Sequence, residues 1–492
     1  MTSGPLEVRR AGILLHVTSL PSAYGAGDLG PAARRFVDFL EAAGCTVWQM
    51  LPLGPTHHVD RSPYNAVSAM AGNPELVSVE CLVERDLLDE THLDDLRSGS
   101  LTPADARLVA AERFLGGHGG QERAAFERWC VDNRSWLDDY VEFVALREHL
   151  DHAPWPTWKP GLRDREPEDV AAALAPLADR LAVLRFEQWV FAEQWQELRE
   201  YAHARGVLLF GDLPIFVSHD SADVWASREL FRLDAGGQPT TVTGVPPDYF
   251  SAEGQRWNNP HYDWEEMARD GYRWWRDRVA GQRRLFDLVR IDHFRGFEAA
   301  WHVPADAPSA KSGAWEKSPG AEVLAALVET SGPGTLVAED LGVITPEVDA
   351  LRRRFGLPGM KVLQFAFDGD PDNSYLPAHH EQLSVVYTGT HDNDTTLGWW
   401  AEQSAEERRN VVAELLDPTE PMPWAMVRLT MASTATLAVV PAQDLLGLGS
   451  ESRMNTPGTP TGNWSWQAFA DDFDAPLAAR LRELVEEHDR LV

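Results

Sequence analysis

The chain has 492 residues, 44% hydrophobic and 24% charged, an ordinary composition for a soluble globular protein with room for a large buried core. Its 76 acidic residues against 44 basic give a formal net charge of −32, which repels polyphosphate and anionic lipid and so argues against nucleic-acid and membrane partners. No apolar run approaches the ~20 residues of a membrane helix, and Cys45, Cys81 and Cys130 are too scattered for a disulfide framework or a metal knuckle.

The opening MTSGPLEVRRAGILLHV lacks the order of a signal peptide, because its apolar part is short and continues into a strand-like segment. A cytoplasmic location is therefore expected. Residues 12–20 (GILLHVTSL) read as a first strand, and 31–43 as a helix opened by a favourable first-turn proline. Residues 46–52 (TVWQMLP) are a second strand. Residues 53–206 contain no obvious strand of this type, but charged helical patterns at 122–150 and 181–205 mark an inserted, mainly helical subdomain. Strands resume at 207–214, and 215–275 is read as an inserted loop region. Further strands follow at 286–293, 335–341, 360–367, 384–390 and 436–441, then a loop at 450–470 and a closing amphipathic helix at 475–492. Eight strands interleaved with helices imply a parallel sheet and an α/β fold, a single (β/α)8 TIM barrel spanning 1–492 with large insertions. A doubly wound sheet is the competing architecture.

Polar residues gather where these strands end. Asp212 ends the third, Asp292 the fourth, Glu339 and Asp340 the fifth, and His391-Asp392 follow the seventh. In a barrel those ends meet at one mouth, where active sites lie. Strand alternation puts Leu288, Arg290 and Asp292 on one face, so Arg290 is expected to hold Asp292 ionised, with a lowered pKa. Such a carboxylate suits a nucleophile; its crowded neighbours should leave one other acid protonated, fit to be a general acid. An ionised and a protonated carboxyl about 5–5.5 Å apart are the apparatus of a retaining glycosidase or transglycosidase. Spacing does not choose between Glu339 and Asp340. Among 19 tryptophans and 9 tyrosines, Trp257, Trp464 and Trp466 fall in Gly/Pro-rich loops, where flat rings suit the faces of sugars.

The segments GDLPIFV (211–217), RIDHFRG (290–296), AEDLG (338–342) and THDN (390–393) resemble the successive signatures of the amylomaltase or 4-α-glucanotransferase family, related to the α-amylases. Residues 244–260 (GVPPDYFSAEGQRWNNP), Ser62-Pro63-Tyr64, Ala71-Gly72-Asn73-Pro74 and 457–466 (PGTPTGNWSW) match as well, so the resemblance runs from about residue 12 to the C-terminus. It is to the shorter members, without a C-terminal β-domain.

The resemblance implies a retaining transfer of α-1,4-glucan segments from a maltooligosaccharide or starch-type donor to the 4-hydroxyl of an acceptor. Asp292 would be the nucleophile and Glu339 the acid/base, while Asp392 would hold the 2- and 3-hydroxyls of the reacting sugar, assisted by His391 and Arg290. Tyr64, Asp212, Asp248, Trp257 and Asn463 match positions lining the sugar subsites. No cofactor or metal is implied. Two positions depart from the pattern: Asn258 stands where glycine is usual, and Gln467 where arginine is common. The alternatives are an α-amylase-type hydrolase, a silent glucan-binding barrel, a Schiff-base enzyme using Lys361, whose needed low pKa a carboxylate-lined mouth opposes, and a metal hydrolase using His57-His58, read instead as surface residues.

Overall fold

The computed structural model describes residues 4–57, 59–120, 122–247, 253–459 and 461–492. Eight short buried strands form the centre: β1 (Arg10–Leu14), β2 (Val47–Gln49), β3 (Leu208–Pro214), β4 (Leu288–Asp292), β5 (Leu336–Ala338), β6 (Gly359–Val362), β7 (Ser384–Tyr387) and β8 (Leu437–Pro441). They pair in the order β6-β7-β8-β1-β2-β3-β4-β5, every neighbour parallel. The two outer strands meet where the Ala338 N–H donates to the Pro358 carbonyl at 2.8 Å. The Met360 N–H also donates to Asp340 Oδ1 at 2.7 Å. The expected TIM barrel is thus nearly closed. Several predicted runs overshoot their strands on the mouth side, because apolar residues there turn into short 3-10 segments such as Val17–Ser19 and Leu363–Phe365.

Side chains alternate across the barrel wall. Leu14, Val47, Phe210 and Leu288 pack together inside, while Ile13, Trp48, Leu209 and Val289 face the surrounding helices. Gly211 permits one close approach: a Cβ there would lie 2.2 Å from the Phe286 ring.

Between β2 and β3 the chain is helical. Helices α1 (Glu122–His149) and α2 (Ala178–His203) pack through Phe126, Phe186 and Trp189 around Phe114, with ring centroids 4.9–6.1 Å apart. His57, expected at the surface, is buried instead. Its Nε2 lies 3.1 Å from Ser218 Oγ and its Nδ1 3.3 Å from Arg147; His58 lies outside the described residues.

A second, antiparallel sheet was not foreseen. Its strands run in the order Gln255–Pro260, Thr241–Val245, Ala299–Pro304, Ala314–Lys317. The first is polar (QRWNNP) and the last is exposed along its whole length, so neither carries the apolar alternation that marks a strand. This sheet joins residues after β3 to residues after β4, beyond the 215–275 region.

Among the described residues no strand follows β8, and the chain closes with helix α3 (Ala475–Glu487). Beyond it Arg490 is fully buried. Its guanidinium donates to the carbonyls of Met431 (2.7 Å), Ser433 (2.6 Å) and Arg10 (3.0 Å), clamping the segment before β8 to the start of β1. No described helix is long and apolar enough to cross a membrane.

Candidate active site

The barrel mouth is organised by Arg290. It sits opposite Asp212 in the β3–β4 register, is 4% exposed, and spans two acids. Nη1 donates to Asp212 Oδ2 at 2.6 Å, and Nη2 lies 2.9 Å from Asp292 Oδ1. The Tyr64 hydroxyl donates to the same Asp212 oxygen at 2.8 Å. The Tyr64 ring stacks on His391 (centroids 5.1 Å, planes 16° apart) with Trp464 5.8 Å away. Residues separated by more than 300 positions thereby share one wall.

Glu339 follows β5 directly. Its N–H donates to the Ile291 carbonyl at 3.0 Å, so it stands beside Asp292 across the β4–β5 junction. Its two carboxylate oxygens accept the backbone N–H groups of His293 (2.7 Å) and Leu341 (2.8 Å). His293 adopts φ 50, and Trp257 meets its ring edge-on at 4.9 Å. Asp340 faces elsewhere: it receives the Met360 N–H and lies 3.2 Å from Arg352 Nε, a wall contact. Spacing left these two acids equivalent; their partners separate them.

The expected low pKa of Asp292 is corrected. Burial, the largest cause, pushes Asp292 upward; Arg290 opposes it, and Asp212, Glu339 and Asp392 add to the rise. Burial also raises Glu339, against Arg290 and the N–H groups of Leu341 and His293. Weighing Arg290 alone omits the loss of water around four converging acids. Acids that influence one another in this way do not titrate independently. The guanidinium contact with Asp292 favours that side chain as the ionised member, because charge-assisted bonds outweigh neutral ones.

Asp392 projects from the loop after β7 and remains 45% exposed. His391 Nε2 lies 3.4 Å from its Oδ1, and Asn455 Nδ2 donates to that oxygen at 2.6 Å. Arg453 donates to the Asp392 backbone carbonyl at 2.6 Å and to the Asn455 carbonyl at 2.7 Å. Sequence reading missed Arg453 and Asn455, since nothing in their spacing ties them to position 392. Lys361 is held lower by burial, contrary to expectation, with its ammonium 5.5 Å over the Tyr375 ring. Among the described residues no group of His, Cys, Asp or Glu is placed to hold a metal ion.

This geometry can be set beside known proteins. The family model described as 4-alpha-glucanotransferase, of glycoside hydrolase family 77, matches residues 15–471. The chain belongs to that family. It is 47% identical over 501 residues to the 4-alpha-glucanotransferase of Thermus thermophilus, covering 99% of this chain and 100% of that one. It is 44% identical to the 4-alpha-glucanotransferase of a Synechocystis strain, with 99% of each covered. The solved amylomaltase of Streptococcus agalactiae, in complex with acarbose, superposes with a TM-score of 0.93 at 32% identity, covering 98% of this chain and 99% of that one.

Both departures from the family pattern have a structural reading. Asn258 has φ 64, the left-handed region that glycine enters freely and asparagine tolerates best among other residues. Gln467 donates from Nε2 to the carbonyls of Leu20 (2.7 Å) and Gly25 (3.0 Å), tying the loop after β8 to the one after β1. Asn463 turns inward on its own loop, accepting the Thr456 N–H at 2.9 Å and donating to the Thr459 carbonyl at 3.0 Å. Asp248 lies outside the described residues.

Proposed function

We propose that this 4-alpha-glucanotransferase family member moves α-1,4-glucan segments between maltooligosaccharide or starch-type chains through a covalent glycosyl-enzyme on Asp292, working in the cytoplasm. The observation that carries the reading is the buried Arg290 bridging Asp212 and Asp292, with Glu339 beside them.

An Asp292 oxygen attacks the anomeric carbon while the glycosidic bond breaks, its electron pair leaving on the departing sugar oxygen. Glu339 gives that oxygen a proton. The 4-hydroxyl of the incoming chain then loses its proton to Glu339 and attacks the same carbon, and Asp292 leaves as carboxylate. One glycosidic bond breaks, one forms, and no water is consumed. Arg290 stabilises the charge on Asp292 in both steps. Asp392, with His391 beside it, accepts the 2- and 3-hydroxyls of the reacting sugar. Tyr64 and Trp257 line the flanking subsites, with Asp212 holding the Tyr64 hydroxyl.

Transfer prevails over hydrolysis only if an acceptor sugar reaches the intermediate before water at about 55 M, which demands a high effective molarity in the acceptor subsites and exclusion of solvent. Trp257 beside His293 supplies an apolar wall for both. Maltotriose tests the reading. Glucose and longer maltodextrins should appear while total reducing ends stay constant, and Asp292→Asn should abolish both products. A proportional rise in reducing ends identifies a hydrolase instead.

A further inference from the structure

The loop after β8 reaches across to the loop after β7 and ties down residues 391–394 there, two of its bonds falling on Asp392 itself. Asn455 donates from Nδ2 to Asp392 Oδ1 at 2.6 Å and from its N–H to the His391 carbonyl at 3.1 Å. Arg453 closes the other side, one guanidinium nitrogen on the Asp392 carbonyl and another on the Asn455 carbonyl. Ser450 Oγ adds a bond to Asp394 Oδ2 at 2.7 Å.

The need for such a brace follows from exposure. Asp292 shows 28% of its side chain to solvent, whereas Asp392 shows 45% and stands on a loop. A half-exposed carboxylate samples several rotamers unless other groups fix it, and a site works best when its charges are aimed before substrate arrives. With Oδ1 engaged by Asn455 and close to His391, Oδ2 is left as the oxygen free to accept sugar hydroxyls.

The geometry points to Asn455 as a positioning residue for the transfer reaction, acting through Asp392, with Arg453 holding the loop that presents it. The inference rests on Asp392 serving the reaction as proposed above. An amide suits this position chemically. It donates without carrying a charge, so it aims the carboxylate without neutralising it; an aspartate of nearly the same shape reverses the donor into an acceptor whenever it is ionised.

That reversal supplies the test, with maltotriose transfer measured from pH 5 to pH 8. Asn455→Ala should lower kcat roughly 10- to 100-fold, the usual worth of a hydrogen bond to a charged group, and leave KM little changed. Asn455→Asp should lose at least as much at pH 8, where two carboxylates repel. It should regain activity relative to the native enzyme toward pH 5, where a shared proton lets the introduced carboxyl donate again. Among the described residues, the titratable or charged groups around this pair include His391, Arg453, Asp292, Tyr64, Asp394 and, beside His391, His16 and Arg290. All are present in every variant, so the ratio to native isolates position 455.

Asp392→Asn with Asn455→Ala should be no slower than Asp392→Asn alone, because residues acting as a unit are not additive. A pH-independent ratio for Asn455→Asp, or fully additive losses in the double variant, overturns the inference while leaving the role of Asp392 intact. An active Asp392→Asn overturns both. Should Asn455→Ala fail to fold, the near-isosteric Asn455→Asp still carries the pH test.

Discussion

Arg290 and Asp212 form a contact of 2.6 Å between strands β3 and β4, with 4% and 1% of their side chains exposed. A pair so deeply buried is costly to leave half made. Arg290→Met strands two carboxylates, and the expected loss is about 3–5 kcal/mol of unfolding free energy at neutral pH, measurable by urea denaturation. Arg290 is also the leading group that lowers the proton affinity of Asp292. If the variant retains measurable transfer, its acid limb should therefore move to higher pH. An unmoved limb would separate Arg290 from the titration of Asp292.

Glu339 is raised by burial, so its proton persists above the usual carboxylate range and is lost as pH climbs through the raised value. Native activity should accordingly be bell-shaped, with Asp292 setting the acid limb and Glu339 the alkaline one. Glu339→Gln should slow maltotriose transfer about 10²- to 10⁴-fold yet still release a burst of fluoride from a glycosyl fluoride, whose leaving group needs no acid. That burst should show no alkaline limb. Equal loss on both donors would point to damaged folding.

At position 258 the backbone, not the side chain, sets the requirement. Asn258→Gly should change thermal stability by only a few tenths of a kcal/mol, whereas Asn258→Val should cost about 1–2 kcal/mol, the penalty for a left-handed residue. Because Trp257 adjoins it, the valine variant should also weaken binding. Differential scanning calorimetry and KM for maltotriose are the two measurements.

His261 and His302 stack face to face with centroids 3.3 Å apart and planes 7° apart, joining the end of the Gln255–Pro260 strand to the Ala299–Pro304 strand. Burial, followed by the His302 ring, lowers His261 to about 3. A histidine held neutral in the fold contributes stability that is complete above its unfolded pKa of roughly 6.5 and is lost as pH falls toward the folded value. The loss amounts to about 1.4 kcal/mol per pH unit in that window. His261→Phe keeps a flat ring but takes no proton. Urea midpoints between pH 7 and pH 4 should fall less steeply for this variant than for the native protein. Parallel curves would refute the assignment.

The strands were legible because they are buried on both faces, which writes each as a short apolar run closed by polar residues. The grouping of Asp212, Asp292, Glu339 and Asp392 was legible for the same reason: position at a strand end implies position at the mouth. The small sheet was not, since QRWNNP pairs through its backbone and shows no apolar period. Nor was the choice between Glu339 and Asp340, which are neighbours in sequence but differ in partners supplied by His293, Leu341, Met360 and Arg352. The proton affinity of Asp292 was misjudged because a local pair of residues reveals an attraction but not how much water the folded site excludes. Asn455 stayed hidden because its partner lies 63 positions away on a different loop.

The clamp made by Arg490 bears on how the molecule comes to exist. Its guanidinium grips the Arg10 carbonyl across 480 positions of chain, so the seam between first and last strands cannot be locked while the ribosome still holds that arginine. Domains otherwise tend to fold from the N-terminus as they emerge. Here β1 must wait, with one edge open, until β8 has been made. Until then the unpaired edge of β1 is open to pairing with a wrong strand.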